Sequence, residues 1–432
     1  MSNRLRGMGR PARPLKVAVL VDLERRPDAG GHVKCWERLA EAAARHDATV
    51  DLTVHFQGAS GSIEILAPHV RLVAHAPVLS TRYIPFLGDT PEHTDLSPHH
   101  PTVMKALAGV DVIHTTDAYF AYAQTAARAA KRTGAALVTS IHTETPAYTA
   151  VYAEKAFRRA FGNWAGEVIA EKLRVPDRLA ENMRRRLARY GRGCLRVLIG
   201  PHADMAAAEE MFGKRVSVLR RGIDRTRFNP ARRDRVRLAV KHGIAPDRTV
   251  LFFAGRVDPG KSVMTLAEAT KILVARGHKV HALIAGEGRE AAAIRDLLGH
   301  DATLTGNVPQ DVAAWLYASS DLFVFPSRVE VAPNVVLEAK ASGLPVVAAP
   351  GGGGVFVRAP GVDGTIVHST EPAAWAAAIA ELIADPARRG AIAAAGQVDV
   401  TTNHPSWDDV YREDLVDMWR TAAESLQVVR SA

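Results

Sequence analysis

Between residues 249 and 350, short apolar runs alternate with stretches of helical period. The order is TVLFFAGRV, SVMTLAEATKILVARG, HKVHALIAGEG, REAAAIRDLL, ATLTGNV, DVAAWLYASS, DLFVFPS, NVVLEAKASG and LPVVAAP. This alternation constrains the fold more than any other feature. A nearly continuous apolar run is the mark of a strand covered on both faces. Strands that alternate with helices wind into a mostly parallel sheet with helices on both sides. The first half repeats the pattern. LKVAVLVD leads through ERRPDAGGHV into the helical VKCWERLAEAAARH, and TVDLTVHFQG, VRLVAHAP, GVDVIHTTD, ALVTSIHTETPAYT, VLIGP and RVSVLRRGID read as further strands. The expected fold class is therefore α/β, with two doubly wound domains. Residues 1–14 form a basic lead-in read as disordered, 15–228 a first domain, 229–246 an Arg-rich, Pro-broken linker, 247–410 a second domain, and 411–432 a final amphipathic helix.

Composition narrows the classes. A chain of 432 residues is long enough for two or three domains. The two cysteines, Cys35 and Cys194, exclude a disulfide framework and a cysteine-rich metal site, and fit a reducing, cytoplasmic setting. There is no eighteen-residue apolar run for a membrane-spanning helix. The basic MSNRLRGMGRPARP is not followed by the apolar core of a secretory signal. Net charge is +9, which suits phosphorylated substrates, an anionic membrane surface or nucleic acid. The charge is scattered, aromatics are 6% of the chain, and basic residues do not interleave with aromatic ones, so nucleic acid is not an expected partner.

The chemistry gathers at strand ends, where open α/β sheets bind ligands. Glu330 and Glu338 stand eight positions apart around a strand-to-helix turn. Packing explains two acidic residues there poorly, and carboxylates accept hydrogen bonds from hydroxyl pairs such as those of a sugar or ribose. Arg256 and Lys261 sit in FAGRVDPGKSVMT, at the start of a helix. Two cations, a positive dipole end and free N–H groups make a diphosphate site. Gly286 lies in AGEGRE, where a nucleobase could rest, and PGGGGV (350–355) could present further N–H groups. The chain has no Asp-x-Asp, so no divalent ion is expected. In the first domain, His114 and His142 fall at strand ends, and Gly30 and Gly31 either let a ligand approach or simply make a tight turn. Phe157, Phe161, Trp164 and Val168 form one helical stripe beside Lys155, Arg158 and Arg159, with Arg184, Arg185, Arg186, Arg189 and Arg192 following. Such a stripe either packs on the domain core or lies on an anionic membrane.

GRVDPGK, ALIAGEG, DLFVFPS and the E-x7-E of EVAPNVVLEAKASGLPVVA resemble the second domain of retaining glycosyltransferase family 4. RRGIDRTRFNP is similar to the segment before its linker, and GGHV and IHTETPAY resemble its acceptor-side loops. The resemblance runs over nearly the whole chain from about residue 15. It implies a GT-B fold, with two Rossmann-like domains facing a cleft and a C-terminal helix crossing back to the first. It implies that Arg256 and Lys261 hold the donor diphosphate and that Glu338 binds the ribose. Glu330 would lie by the transferred sugar, His142 near the anomeric carbon and Gly31 by the phosphates, with Gly286, Asn334 and Val335 completing the donor site.

The expected reaction is retaining, metal-independent transfer of a hexose from a UDP- or GDP-linked donor, with no cofactor. The acceptor would be a membrane lipid or nascent glycan, reached from the cytoplasm or from the inner face of the membrane. NVVLEAKASGLPVVAAPGG and IHTETPAY are most similar to lipid-glycosylating members. The chain departs from the common pattern at Val331-Ala332-Pro333-Asn334, where many members have Phe-Gly after the first Glu, and at Lys340, where an apolar residue is usual. The alternatives are a sugar-nucleotide epimerase on the same scaffold, a phosphorylase, for which no pyridoxal lysine can be singled out, and a non-catalytic binding module.

Overall fold

The structure, a computed structural model, describes residues 13–26, 29–58, 61–83, 93–142, 175–328, 330 and 332–431. They form two compact units, Met1–Leu219 with Tyr411–Ala432, and Arg220–Val410.

In the first unit β1 (Leu15–Glu24) runs through the middle of the sheet, and Val17 to Val21 are buried. Burial on both faces is why this run shows no in/out alternation. It pairs in parallel with β2 (Val50–Gln57) on one side and β5 (Val112–Thr115) on the other. With β3 (Ile63–Ala67), β4 (Val70–His75), β6 (Ala136–Ser140), β7 (Arg196–Ile199) and β8 (Val216–Val218), the order is β3-β4-β2-β1-β5-β6-β7-β8. The order reverses between β1 and β5. Only the edge pair β3–β4 is antiparallel among the described strands. The sequence reading missed β3, because its Ile63 and Ile65 face solvent and give no core signature.

The second unit holds β9 (Thr249–Ala254), β10 (Val280–Ala285), β11 (Ala302–Gly306), β12 (Leu322–Phe325), β13 (Val346–Ala348) and β14 (Thr365–Ile366). They are parallel, in the order β11-β10-β9-β12-β13-β14, and the order reverses between β9 and β12. Phe252, Phe253, Phe323 and Phe325 of the two central strands form a buried aromatic layer.

Residues 229–246, expected as a linker, pack on the second unit. Phe228, Leu238 and Ile244 enter its core, Arg233 donates to the carbonyls of Ala318 and Ser320, and Arg235 pairs with Asp321. An Arg-rich segment reads as solvated in sequence; here its guanidinium groups satisfy the carbonyls at the end of the helix Gln310–Ser319.

Residues 411–432 group with the first unit. The helix takes a π-helical turn over Val410–Val416, and beyond it Trp419 is fully buried and donates from Nε1 to His114 Nδ1 at 3.0 Å. His114 is thus a packing residue rather than a ligand-facing one. Burial holds its pKa down at about 3. Above pH 6.5 the ring is neutral whether the chain is folded or not, and stability is unaffected. Below that value the unfolded chain takes up a proton that the folded one refuses, so stability falls with pH. This single group should remove about 2 kcal/mol between pH 6.5 and 5. Urea unfolding at pH 7 and pH 5 is expected to show a smaller loss in His114→Gln than in the parent by about that amount.

Candidate functional site

The loop after β9 runs from Gly255 to Ser262, ahead of the helix Val263–Ala275. Its turn is built by Asp258, whose Oδ1 accepts from Gly260 N at 3.1 Å and whose carbonyl accepts from Lys261 N at 2.9 Å. Ser262 follows with φ +53°, the only non-glycine residue with positive φ among those described. A non-glycine residue costs energy in that region, and such residues concentrate at functional turns. Lys261 stands next to Ser262, in the short turn Pro259–Lys261 at the strand ends.

There Lys261 Nζ pairs with Glu330 Oε1, and Ser327 Oγ donates to the same oxygen at 2.7 Å. Lys261 comes from the loop after β9 and Glu330 from the loop after β12, and these strands are neighbours in the sheet. The pair therefore stands at the point where the strand order reverses, the place where doubly wound sheets bind ligands. Side chains of Lys261 and Glu330 are 20% and 14% exposed. Arg256 extends the cationic edge and is oriented by Asp258, whose Oδ2 lies 3.3 Å from its Nε.

Asn334 and Val335 open the helix Asn334–Ala341, where no carbonyl of the helix can reach their N–H groups. Pro333 before them brings no N–H. Asn334 Nδ2 lies 3.5 Å from Gly222 O, so its side chain is turned toward the start of the second unit. One turn on, Glu338 Oε2 accepts from Tyr317 Oη at 3.1 Å.

Gly286 sits beside the same loop for a reason that needs no ligand. Its φ is +147°, and a Cβ there would meet Gly255 O at 1.8 Å. The two strand-end loops are laced together, with Val257 N donating to Glu287 O and Glu290 N to Val257 O. The same holds in PGGGGV, where a Cβ on Gly352 would lie 1.6 Å from Ser327 O. Gly31 is the opposite case. It begins the helix Gly31–Ala44 and a Cβ would find nothing within 4 Å. Gly286→Ala is expected to cost at least about 2 kcal/mol, because backbone must shift. Gly31→Ala should stay within about 0.5 kcal/mol of the parent. Chemical denaturation of both variants checks this.

In the first unit His142, buried at the end of β6, accepts from Trp36 Nε1 at its Nε2, 3.2 Å away. An indole N–H can only donate, so the imidazole proton sits on Nδ1. Ser140 Oγ lies 2.8 Å from the same Nε2, and the His32 ring stacks on His142 at 4.3 Å. Gly31, His32 and Trp36 come from one helix, which places the GGHV turn beside His142. Sequence reasoning missed Trp36, His32, Ser140, Ser327 and Tyr317. Only His32 and Trp36 carried a local signal, the i, i+4 spacing that puts two side chains on one helix face. Residues 143–150 and the stripe of Phe157, Phe161, Trp164 and Val168 lie outside the described residues.

Residues 248–385 match the family described as "Glycosyl transferases group 1". The chain is 31% identical over 309 residues to D-inositol 3-phosphate glycosyltransferase 1 of Catenulispora acidiphila, covering 68% of each chain. It is 34% identical over 221 residues to the D-inositol 3-phosphate glycosyltransferase of Rhodococcus opacus, covering 48% of each. The match thus spans about half the length of several such relatives. Among solved structures, a sucrose-phosphate synthase from Thermosynechococcus elongatus superimposes with a TM-score of 0.69 at 18% identity, over 95% of this chain and 100% of that one. WaaG, a glycosyltransferase of lipopolysaccharide biosynthesis, gives 0.62 at 18% identity, over 95% and 99%. Those two likenesses carry the fold alone. Together with the family match and the relative covered over two thirds of its length, they place the chain in the group 1 glycosyl transferases, family 4, with the GT-B pair of Rossmann-like domains.

Proposed function

We propose that the protein transfers a hexose from a UDP- or GDP-linked donor to a hydroxyl acceptor, with retention at the anomeric carbon and without a metal ion. The observation that carries this reading is the Lys261–Glu330 pair at the strand-order reversal, braced by Ser327 and followed by Glu338. A departing nucleoside diphosphate gathers negative charge, and fixed cations lower that barrier. Lys261 and Arg256 supply them. An incoming diphosphate competes with Glu330 for the Lys261 ammonium. The released carboxylate, still held by Ser327, then receives hydroxyls of the sugar. Asn334 and Val335 N–H groups add donors, and Glu338 takes the ribose. His142, with its proton on Nδ1, donates toward the sugar or acceptor, and Gly31 admits the phosphates.

The acceptor reading is a lipid or nascent glycan. The relatives' names favour a second, inositol 3-phosphate, and the net charge of +9 suits an acceptor that carries phosphate. Exposed Arg178, Arg184, Arg185 and Arg189 of the helix Val175–Arg192 would face an anionic membrane in the lipid case. Arg186 is not part of that face, since it donates to Tyr119 O.

The test incubates the protein and each donor with inositol 3-phosphate or with diacylglycerol in anionic vesicles, in EDTA, and reads the product by mass and by its anomeric proton resonance. Transfer with the donor's own anomeric configuration supports the reading. An inverted product overturns retention, and activity abolished by EDTA and restored by a divalent ion overturns metal independence. A product that is only an epimer of the donor favours the epimerase alternative.

A further inference from the structure

We propose that Tyr317 is a positioning residue that fixes the Glu338 carboxylate and so makes the site selective for ribonucleotides; this rests on the reading of Glu338 as the ribose ligand. The two residues come from different helices, Gln310–Ser319 and Asn334–Ala341, and meet at 3.1 Å between Tyr317 Oη and Glu338 Oε2. Nothing in the local sequence of either helix requires that meeting.

The ring of Tyr317 is fully buried and held on several sides. Phe252 meets it edge-on at 4.8 Å, Phe228 edge-on at 5.7 Å, and Phe323 at 5.5 Å. Phe228 belongs to RFNP, so the segment between the sheets serves as one wall of this box. A tyrosine so enclosed has little torsional freedom, and its hydroxyl stays where the ring puts it. Burial, reinforced by the Glu338 charge, raises its pKa well above 10, so it remains a donor at any working pH.

The consequence for recognition follows from the geometry of a carboxylate. Two neighbouring hydroxyls can share a carboxylate only if its plane is correctly turned. Tyr317 supplies a fixed donor at Oε2; when it is removed the carboxylate is held less firmly in its plane, and the angular preference that separates a ribose from a deoxyribose weakens. Hydrogen bonds to a charged group are the strong ones, so the loss is measurable.

The experiment is calorimetric titration of UDP, GDP and ADP, and of the 2′-deoxy form of whichever binds, into the parent, Tyr317→Phe, Glu338→Gln and the double variant, with melting temperatures recorded alongside. Tyr317→Phe retains the ring and its box. The expected result is about a tenfold weaker ribonucleotide affinity and a ribo/deoxy ratio that falls toward one. In the Glu338→Gln background the same change should weaken binding by less than about twofold, because the charged acceptor that the hydroxyl fixes is already gone. If Tyr317→Phe keeps the parent's ribo/deoxy ratio, or if its effect is as large in the Glu338→Gln background, Tyr317 is only a packing residue and the inference is overturned while the donor site stands. If the folded parent binds none of the nucleotides, the donor site falls and the inference with it.

Discussion

Lys340→Met is expected to destabilise the second unit by about 3–5 kcal/mol. Lys340 is 1% exposed, and its ammonium donates to Asp363 Oδ2 at 2.9 Å, Asp399 Oδ2 at 2.7 Å and Phe356 O at 2.7 Å. Both aspartates are themselves buried. Methionine fills the space but takes from both carboxylates the ammonium they share, with Arg358 Nε, 3.7 Å from Asp399, the more distant cation that remains, and poorly compensated charge in a core is costly. Burial by itself pushes the Asp399 carboxyl up, yet the hydrogen bonds from Lys340 and Asn403 outweigh it and hold its pKa below 3.8. A depressed carboxyl contributes stability above its unfolded pKa and loses it as pH falls through the folded value. The gap between parent and variant should therefore be widest near neutrality and narrow below about pH 4. Guanidinium unfolding across that range measures it. Adding Asp399→Asn to Lys340→Met should recover part of the loss, since it removes one of the stranded charges. The ammonium joins the helix that carries Glu338 to the helix Pro386–Asn403 and to the loop after PGGGGV, so the variant should also bind donor more weakly.

Lys261→Ala is expected to slow transfer by about 10²–10³-fold with little change in stability. Its ammonium is the cation nearest Glu330, and it lies in the short turn Pro259–Lys261 at the strand ends. Removing it takes away a charge where the leaving diphosphate develops its own, and it leaves Glu330 to repel that diphosphate. Because the pair is partly exposed, the unpaired Glu330 is hydrated and the cost to folding is small. Steady-state rates over a range of donor concentrations separate the effects: a fall mainly in kcat marks leaving-group stabilisation, and a rise in KM alone marks ground-state binding. Lys261→Arg should restore only part of the rate, since a planar guanidinium does not reproduce a compact ammonium.

Most of the architecture was legible because it rests on period. The strands from LKVAVLVD to LPVVAAP were found where apolar runs met turns, and the E-x7-E pair, Arg256 and Lys261 stand out because charge at a strand end has few packing explanations. What escaped reading depends on partners distant in sequence. Lys340 stood out as a charge in an apolar place, but its partners lie 23 and 59 residues away. Tyr317 reads as one more core aromatic until Glu338 is seen beside it. Trp36 looks like the apolar face of its helix, and its N–H on His142 spans 106 residues. Gly286 shows the converse: it was read as room for a nucleobase, and the close approach of Gly255 O already demands a glycine there. The segment 229–246 misled because arginines that satisfy helix-end carbonyls cannot be told from solvated ones by composition. The departure at Pro333-Asn334 costs one N–H, while Asn334 and Val335 still open the helix before Glu338.

The most direct measurement is the thermal shift of the pure protein with UDP-, GDP- and ADP-glucose in EDTA, for the parent and for Glu338→Ala. A shift of several degrees with one nucleotide base is expected, from mass action at ligand concentrations far above Kd, and it should disappear in Glu338→Ala. A folded parent that shifts with none of them, or a Glu338→Ala variant that shifts as the parent does, would contradict a nucleotide-sugar site built on Glu330, Glu338, Arg256 and Lys261 and favour the non-catalytic binding module instead.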